Sequence, residues 1–311
     1  MTLALRGSMV ALVTPFRNDQ IDEPALKQLI ELHVQSGTSA LVQCGTTGES
    51  ATLSFEEHDR MIELTVQLAK GRIPVIAGTG SNNTREAIRL TQDAKAAGAD
   101  AALLISPYYN KPTQRGLYLH FKAIAEAVEI PLIVYNIASR TAVNIEPETF
   151  AQLATIKNII AVKESSGNLE QMSRIRQLTQ GKLTLLSGDD GLTLPVLAIG
   201  GTGVISVAAN IVPRDVAALV SAFEAGKREE AIRWHERLLP LVKALFLETN
   251  PIPVKTAMGM LSMITPELRL PLCDMSEANQ ERLRHALEVY GLLNAATGNP
   301  PSVTRSKKVK T

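Results

Sequence analysis

The chain has little cysteine and little aromatic character: two cysteines in 311 residues, and aromatics at 4%. So sparse a cysteine content excludes a disulfide-stapled scaffold. Cys44 falls in a strand-like apolar run and Cys273 follows Leu-Pro-Leu, so both are expected as buried thiols, and neither stands at a metal-ligand spacing. No apolar run approaches the ~20 residues of a membrane-spanning helix, and the N-terminus lacks the segments of a signal peptide. A soluble cytoplasmic protein is therefore expected. An excess of one charge is missing as well. The formal net charge is +1, yet Arg305, Lys307, Lys308 and Lys310 crowd into a tail without an acid. The rest of the chain is net negative, which argues against a nucleic-acid-binding surface.

Hydrophobic residues are plentiful at 45%, with 20% charged, enough apolar material for one large core. Short β-branched runs alternate with longer periodic stretches. The runs Met9–Thr14, Ala40–Cys44, Ile73–Ala77, Ala101–Ile105, Leu132–Tyr135, Ile159–Lys163, Leu183–Leu186 and Gly203–Ser206 are apolar at successive positions, as strands covered on both faces should be. The stretches Glu23–Ser36, Phe55–Lys70, Thr84–Ala97, Gln114–Ala127, Pro147–Ala154, Asn168–Thr179, Leu192–Ala198 and Pro213–Ala225 read as the helices between and after them. Ser54 and Glu57 form a capping-box pattern, and Gly37, Gly71, Gly98 and Gly226 follow predicted helix ends. Eight strand–helix units predict an α/β fold, a (β/α)8 TIM barrel over residues 1–226. An open doubly wound sheet is the alternative, but no G-x-G-x-x-G follows the first strand. Residues 227–297 read as a C-terminal three-helix extension: Lys227–Phe246, Val254–Met263 and Ser276–Leu293. Residues 298–311 read as a basic, disordered tail.

In such barrels the chemistry sits where strands end. Lys163 closes the sixth predicted strand after Ile-Ile-Ala-Val, with no basic neighbour. Burial there disfavours the ammonium and lowers its pKa, which releases the neutral amine that acts as a nucleophile. Taken alone, a strand-end lysine more often snorkels to solvent or pairs with an acid such as Glu164. Its neighbours change the balance. Tyr135 ends the adjacent fifth strand, where a phenol can pass protons. Thr46 and Thr47 end the second strand with hydroxyls suited to a carboxylate and a relay, between Gly45 and Gly48, which permit an anion-binding turn. Lys255 lies outside the predicted barrel mouth, and Asp189-Asp190 lacks the further ligands a metal needs, so no metal site is expected.

The motifs Gly45-Thr46-Thr47-Gly48-Glu49-Ser50, Tyr135-Asn136, Lys163-Glu164, Ser187-Gly188-Asp189-Asp190, Gly200–Ser206 and Asn250–Lys255 come in order along the chain. Together they resemble the dihydrodipicolinate synthase branch of the N-acetylneuraminate lyase superfamily of class I pyruvate aldolases. The resemblance implies that Lys163 forms an imine with pyruvate, with no metal or organic cofactor. It implies that Tyr135, Thr47 and Tyr109 form a proton relay, Tyr109 entering a neighbouring subunit's site within a homotetramer. Thr46 matches the pyruvate-carboxylate contact, Gly188 and Ile205 match backbone positions lining the site, and Arg140 matches the arginine that binds the carboxylate of L-aspartate-4-semialdehyde. The implied product is 4-hydroxy-tetrahydrodipicolinate, on the diaminopimelate and lysine pathway. Ser50, Ala51, His58, Asn82, Glu86 and Tyr108 match an inhibitory L-lysine site at the dimer interface, although Phe55 stands where some lysine-sensitive members have His. Ala138 stands where the family usually has Pro. A lyase of N-acetylneuraminate or 2-keto-3-deoxy sugar acids, and a non-catalytic small-molecule-binding barrel, are the other readings.

Overall fold

The computed structural model describes residue 3 and residues 5–294; the predicted tail at 298–311 lies outside the described residues. Eight parallel strands close into a barrel: β1 (Gly7–Ala11), β2 (Ala40–Gln43), β3 (Val75–Gly78), β4 (Ala101–Ile105), β5 (Leu132–Asn136), β6 (Ile159–Glu164), β7 (Thr184–Ser187) and β8 (Gly203–Ser206). Each strand pairs with its neighbours in sequence, and β1 closes the ring on β8 with Met9 opposite Ile205. Side chains alternate, as the strand period demands. Met9, Val42, Ile76, Leu103, Ile133, Ala161 and Ile205 form one cluster inside the barrel. Val10, Leu41, Val75, Leu104, Val134, Val162 and Val204 belong to clusters shared with the helices outside. The alternation puts Lys163, two residues after Ala161, on the inner face.

The enclosing helices are α1 (Glu23–Gln35), α2 (Phe55–Ala69), α3 (Thr84–Ala96), α4 (Gln114–Ala127), α5 (Pro147–Leu153), α6 (Leu169–Thr179), α7 (Thr193–Ala198) and α8 (Pro213–Glu224). Local chemistry sets their starts. Asp22, Asn83, Thr113 and Asn168 accept a backbone N–H of the first turn, and the Ser54–Glu57 capping box is complete in both directions. Three more helices follow: α9 (Arg228–Ala244), α10 (Ile252–Met260) and α11 (Glu277–Tyr290). Leu241, Val254, Met258 and Leu283 join the same apolar cluster as Leu26, Leu29 and Met61, so barrel helices and C-terminal helices share one core. Among the described residues no helix is long and apolar enough to cross a membrane.

Several features depart from expectation. A hairpin of Phe16–Arg17 with Gln20–Ile21 follows β1, too short to show in the hydrophobic pattern; Asn18 and Asp19 both take the left-handed conformation its turn requires. Strand β1 stops at Ala11 instead of Thr14; residues 12–14 stay buried after it ends, so the apolar run continues past the strand. Cys273 is exposed rather than buried, in a segment where Leu270 is itself exposed.

His33, buried on α1 with Nδ1 2.9 Å from Thr38 Oγ1, has its pKa lowered to about 4 by burial. The unfolded chain takes up this proton near pH 6.5, so stability is complete above that value and falls as pH drops towards 4. Chemical denaturation at pH 7 and at about pH 4.5 should show a loss of about 2–3 kcal/mol from this residue. The loss should shrink by that amount in His33→Gln.

Candidate active site

Lys163 sits on β6 opposite Tyr135 of β5 and Leu186 of β7. It is 6% exposed, and its Nζ lies 4.2 Å from the centroid of the Tyr135 ring. Burial lowers its pKa to about 7; the nearby Asp190 charge resists that shift, and Arg140 adds to it. About half of the amine is therefore neutral at pH 7, against roughly one part in a few thousand for an unperturbed lysine. Burial raises the pKa of the Tyr135 phenol, with Ser165 and Arg140 pulling it back, so it remains protonated at neutral pH. Glu164 does not pair with Lys163. Adjacent strand residues face opposite sides, and Glu164 is instead held by Asn136 Nδ2 at 3.0 Å, Ser166 N at 2.7 Å and Gln171 Nε2 at 3.3 Å.

The ends of β7 and β8 close around this lysine. A Cβ on Gly188 would strike Ser165 Oγ and come within 2.9 Å of Lys163 Cε, so a side chain there would displace both Ser165 and the lysine. Asp190 binds the backbone N–H of Val207 at 2.8 Å and of Ala208 at 3.2 Å, and also accepts from the Ser206 hydroxyl. That carboxylate ties the end of β7 to the end of β8, where Ile205 is buried in the barrel interior. Asp189 accepts from Gly191 N at 2.8 Å. The two aspartates thus serve separate backbone contacts.

The loop after β2 is bounded by two non-glycine residues in the left-handed conformation, Cys44 (φ 56°) and Glu49 (φ 54°). Such conformations cost about 1–3 kcal/mol each and persist only where the surroundings impose them. Here the surroundings do. Glu49 Oε1 meets the fully buried Lys255 Nζ at 2.5 Å, and that ammonium also donates to Thr14 O at 2.9 Å and lies 4.5 Å from the Phe16 ring centroid. The backbone N–H of Arg269 donates to Glu49 Oε2 at 3.3 Å. Burial lowers the Lys255 pKa while Glu49 opposes the shift. Within the loop, Gly48 N donates to Gly45 O at 3.0 Å and Glu49 N to Thr46 O at 3.2 Å. Gly48 therefore adds no inward donor to the expected anion-binding turn. Its role is close approach, because a Cβ there would lie 3.1 Å from Leu12 O. Among the described residues, the backbone N–H groups of Thr46 and Thr47 make no hydrogen bond.

Arg140 stands on a one-turn helix, Ala138–Thr141, directly after β5. Ile137 O accepts from both Arg140 N and Thr141 N at 3.1 Å, so the turn forms with Ala138 in place of the family's proline. Arg140 Nη2 donates to the backbone O of Asn250 at 3.0 Å, and Asn250 Nδ2 donates to Thr47 Oγ1 at 2.9 Å. Thr46, Tyr135, Arg140 and Asn250 line a cavity of about 680 Å³, together with Ser50, Ala51, His58, Glu86 and Tyr108. Asn82 Nδ2 reaches Tyr108 O at 3.4 Å. His58 is buried with Nε2 2.8 Å from Gly78 O, and burial lowers its pKa, so it is neutral at pH 7. Lys163 and Thr47 are buried rather than part of the lining. Tyr109 is not brought to the site within one chain. It is 87% exposed, at the centre of a tight turn with φ 76° closed by Asn110 N donating to Tyr108 O at 3.0 Å, a strained γ-turn geometry.

Sequence reasoning missed Asn250, which looked like part of a helix break, and the Glu49–Lys255 pair. Both join groups more than 200 residues apart, and no local spacing signals such a contact.

Fold and site together define a class: a (β/α)8 barrel with a buried, partly neutral lysine among tyrosine and threonine at the ends of its strands. The model of the dihydrodipicolinate synthetase family matches residues 4–290, and the chain belongs to that family. It is 56% identical over 288 residues, covering 93% of this chain and 99% of the relative, to the 4-hydroxy-tetrahydrodipicolinate synthase of Syntrophus aciditrophicus (strain SB). Its structure resembles the dihydrodipicolinate synthase from Acinetobacter baumannii complexed with pyruvate, at TM-score 0.91 and 45% identity over 93% of this chain and 100% of that one. It is also similar to DHDPS from Cyanidioschyzon merolae with lysine bound, at TM-score 0.90 and 42% identity over 93% and 99%.

The unfolded chain keeps the Lys163 proton to about pH 10.4, whereas the folded chain gives it up near 7. The destabilisation is therefore largest below pH 7 and fades as pH rises through 10. Lys163→Met should raise stability at pH 7 by up to about 4 kcal/mol, with a smaller gain at pH 10, as read by urea denaturation.

Proposed function

We propose that the chain catalyses the 4-hydroxy-tetrahydrodipicolinate synthase reaction, condensing pyruvate with L-aspartate-4-semialdehyde through an imine on Lys163. The observation that carries this reading is a lysine with a pKa of about 7 facing Tyr135 across two strands. The neutral Lys163 amine attacks the pyruvate ketone to give a carbinolamine. The Tyr135 phenol supplies a proton to the departing hydroxyl, water leaves, and the nitrogen lone pair closes the imine. Protonated imine nitrogen then withdraws electrons as a proton is lost from the methyl carbon, forming the enamine, so no organic cofactor is required. The enamine carbon attacks the aldehyde, whose oxygen takes up a proton. The substrate's own amine displaces Lys163 by attack at the imine carbon, which closes the ring and restores the enzyme.

The free N–H groups of Thr46 and Thr47 and the Thr46 hydroxyl suit the pyruvate carboxylate, with the backbones of Gly188 and Ile205 lining the same site. Arg140, held on one side by Asn250 O, keeps guanidinium N–H groups for the carboxylate of the semialdehyde. A clamp of that charge favours a short acidic aldehyde over the polyol of a sugar-acid lyase. Thr47 links Tyr135 to Tyr109 of a neighbouring copy, and the exposed, strained Tyr109 fits a residue that finds its contacts across a subunit boundary in a homotetramer. L-lysine as inhibitor fits the part of the cavity lined by Ser50, Ala51, His58, Glu86 and Tyr108, with Asn82 beside it. Glu86 suits its ammonium, and Asn82 and Tyr108 its polar end. The reading is of a cytoplasmic enzyme, in keeping with the lack, among the described residues, of any helix able to cross a membrane.

Borohydride reduction in the presence of pyruvate, followed by peptide mass mapping, should find one pyruvyl adduct, on Lys163; an adduct elsewhere or none would sink the mechanism. Because the neutral amine is the nucleophile, the rate of adduct formation should rise between about pH 6 and pH 8 and then level off. Millimolar L-lysine should depress the steady-state rate, and a flat titration would remove the inhibitory site.

A further inference from the structure

Asn250 lies outside the barrel, between α9 and α10, yet it touches two barrel loops. Its side-chain amide donates to Thr47 Oγ1 at 2.9 Å, and its backbone carbonyl accepts from Arg140 Nη2 at 3.0 Å. The residue is 6% exposed and lines the cavity beside Thr46, Tyr135 and Arg140. Among the described residues the Thr47 hydroxyl has no other hydrogen-bond partner.

A hydroxyl carries one proton and two lone pairs, whereas a carboxamide N–H can only donate. The contact therefore occupies a lone pair of Thr47 and leaves its proton for another acceptor. A partner that accepted instead would take that proton and close the hydroxyl to any relay. We propose that Asn250 is a positioning residue that fixes the direction in which Thr47 hands on its proton, while its own carbonyl steadies Arg140. One residue of the C-terminal extension thereby sets the geometry of both proton transfer and second-substrate binding. The inference rests on the reading of Lys163 as the imine-forming residue and Thr47 as a member of its relay.

Asn250→Asp tests it, because the replacement keeps the shape and exchanges the donor for acceptors. At neutral pH its carboxylate accepts the hydrogen bond from the Thr47 hydroxyl and engages its proton, so kcat should fall roughly 10- to 100-fold. The KM for L-aspartate-4-semialdehyde should stay within about threefold, since the backbone carbonyl that steadies Arg140 is unchanged. Borohydride should still trap pyruvate on Lys163. As pH falls and the introduced carboxyl protonates, a donor returns, so the deficit against the wild-type enzyme should narrow. In a Thr47→Val background the same substitution should change kcat by less than about twofold, the non-additivity expected of a residue that acts through another. A kcat near the wild-type value, a deficit independent of pH, or an equal deficit in the Thr47→Val background would overturn the proposal. If Asn250→Asp does not fold, Asn250→Ala is read by the same kcat comparison in the two backgrounds. No trapped adduct in the wild-type enzyme overturns the functional reading itself, whereas a normal adduct with an unaffected variant overturns only the role of Asn250.

Discussion

Among the described residues, no carboxylate is placed to pair directly with the lysine buried at the end of β6, and this end of the barrel is organised around that deficit. Glu164, its neighbour in sequence, is turned to the outer face and saturated by amides. Asp190 is near enough to hold the pKa of Lys163 up somewhat, but its oxygens are committed to Ser206, Val207 and Ala208. The result is an amine that exchanges its proton near neutrality without being locked into an ion pair. Had a carboxylate bonded Lys163 directly, the charged form would have been favoured and little neutral amine left near pH 7. Gly188 completes the arrangement, since any side chain there would collide with Ser165 and Lys163.

Lys255 shows the opposite treatment of the same chemical group. It is buried too, but Glu49 and Thr14 accept from its ammonium. Removing one partner of such a buried pair typically costs about 3–5 kcal/mol, because the other charge is left bare. The pair thus acts as a fixed anchor under a loop that contains two left-handed non-glycine residues. Two buried lysines of one chain are driven to different ends by whether a carboxylate is bonded to them.

Much of this was readable from residues alone. β4 and β8 run over the residues that the hydrophobic pattern predicts, and the capping box at Ser54 forms as its spacing requires. Errors have physical causes. Leu12, Val13 and Thr14 remain fully buried after leaving the ladder, so the apolar run continued past the true end of β1. β6 and β7 end in Glu164 and Ser187, polar residues that a hydrophobic pattern cannot extend into. The apolar Leu-Pro-Leu context of Cys273 suggested burial, but Leu270 is 83% exposed. The position of Lys163 followed from its place at a strand end, and the nearness of Tyr135 from its place at the end of the adjacent strand. The anchoring of the loop by Lys255 and the grip of Asn250 on Thr47 depend on chain closure over long separations, where motif spacing carries no information.

Glu49 and Lys255 are separated by 206 residues, and Thr47 and Asn250 by 203. During translation the Gly45–Glu49 loop leaves the ribosome long before the segment that holds its shape. A nascent chain can complete all eight strands and still have a bare carboxylate beneath a strained turn. The geometry of the loop is consequently complete only once the C-terminal segment has folded back onto it, a late event in the life of each molecule.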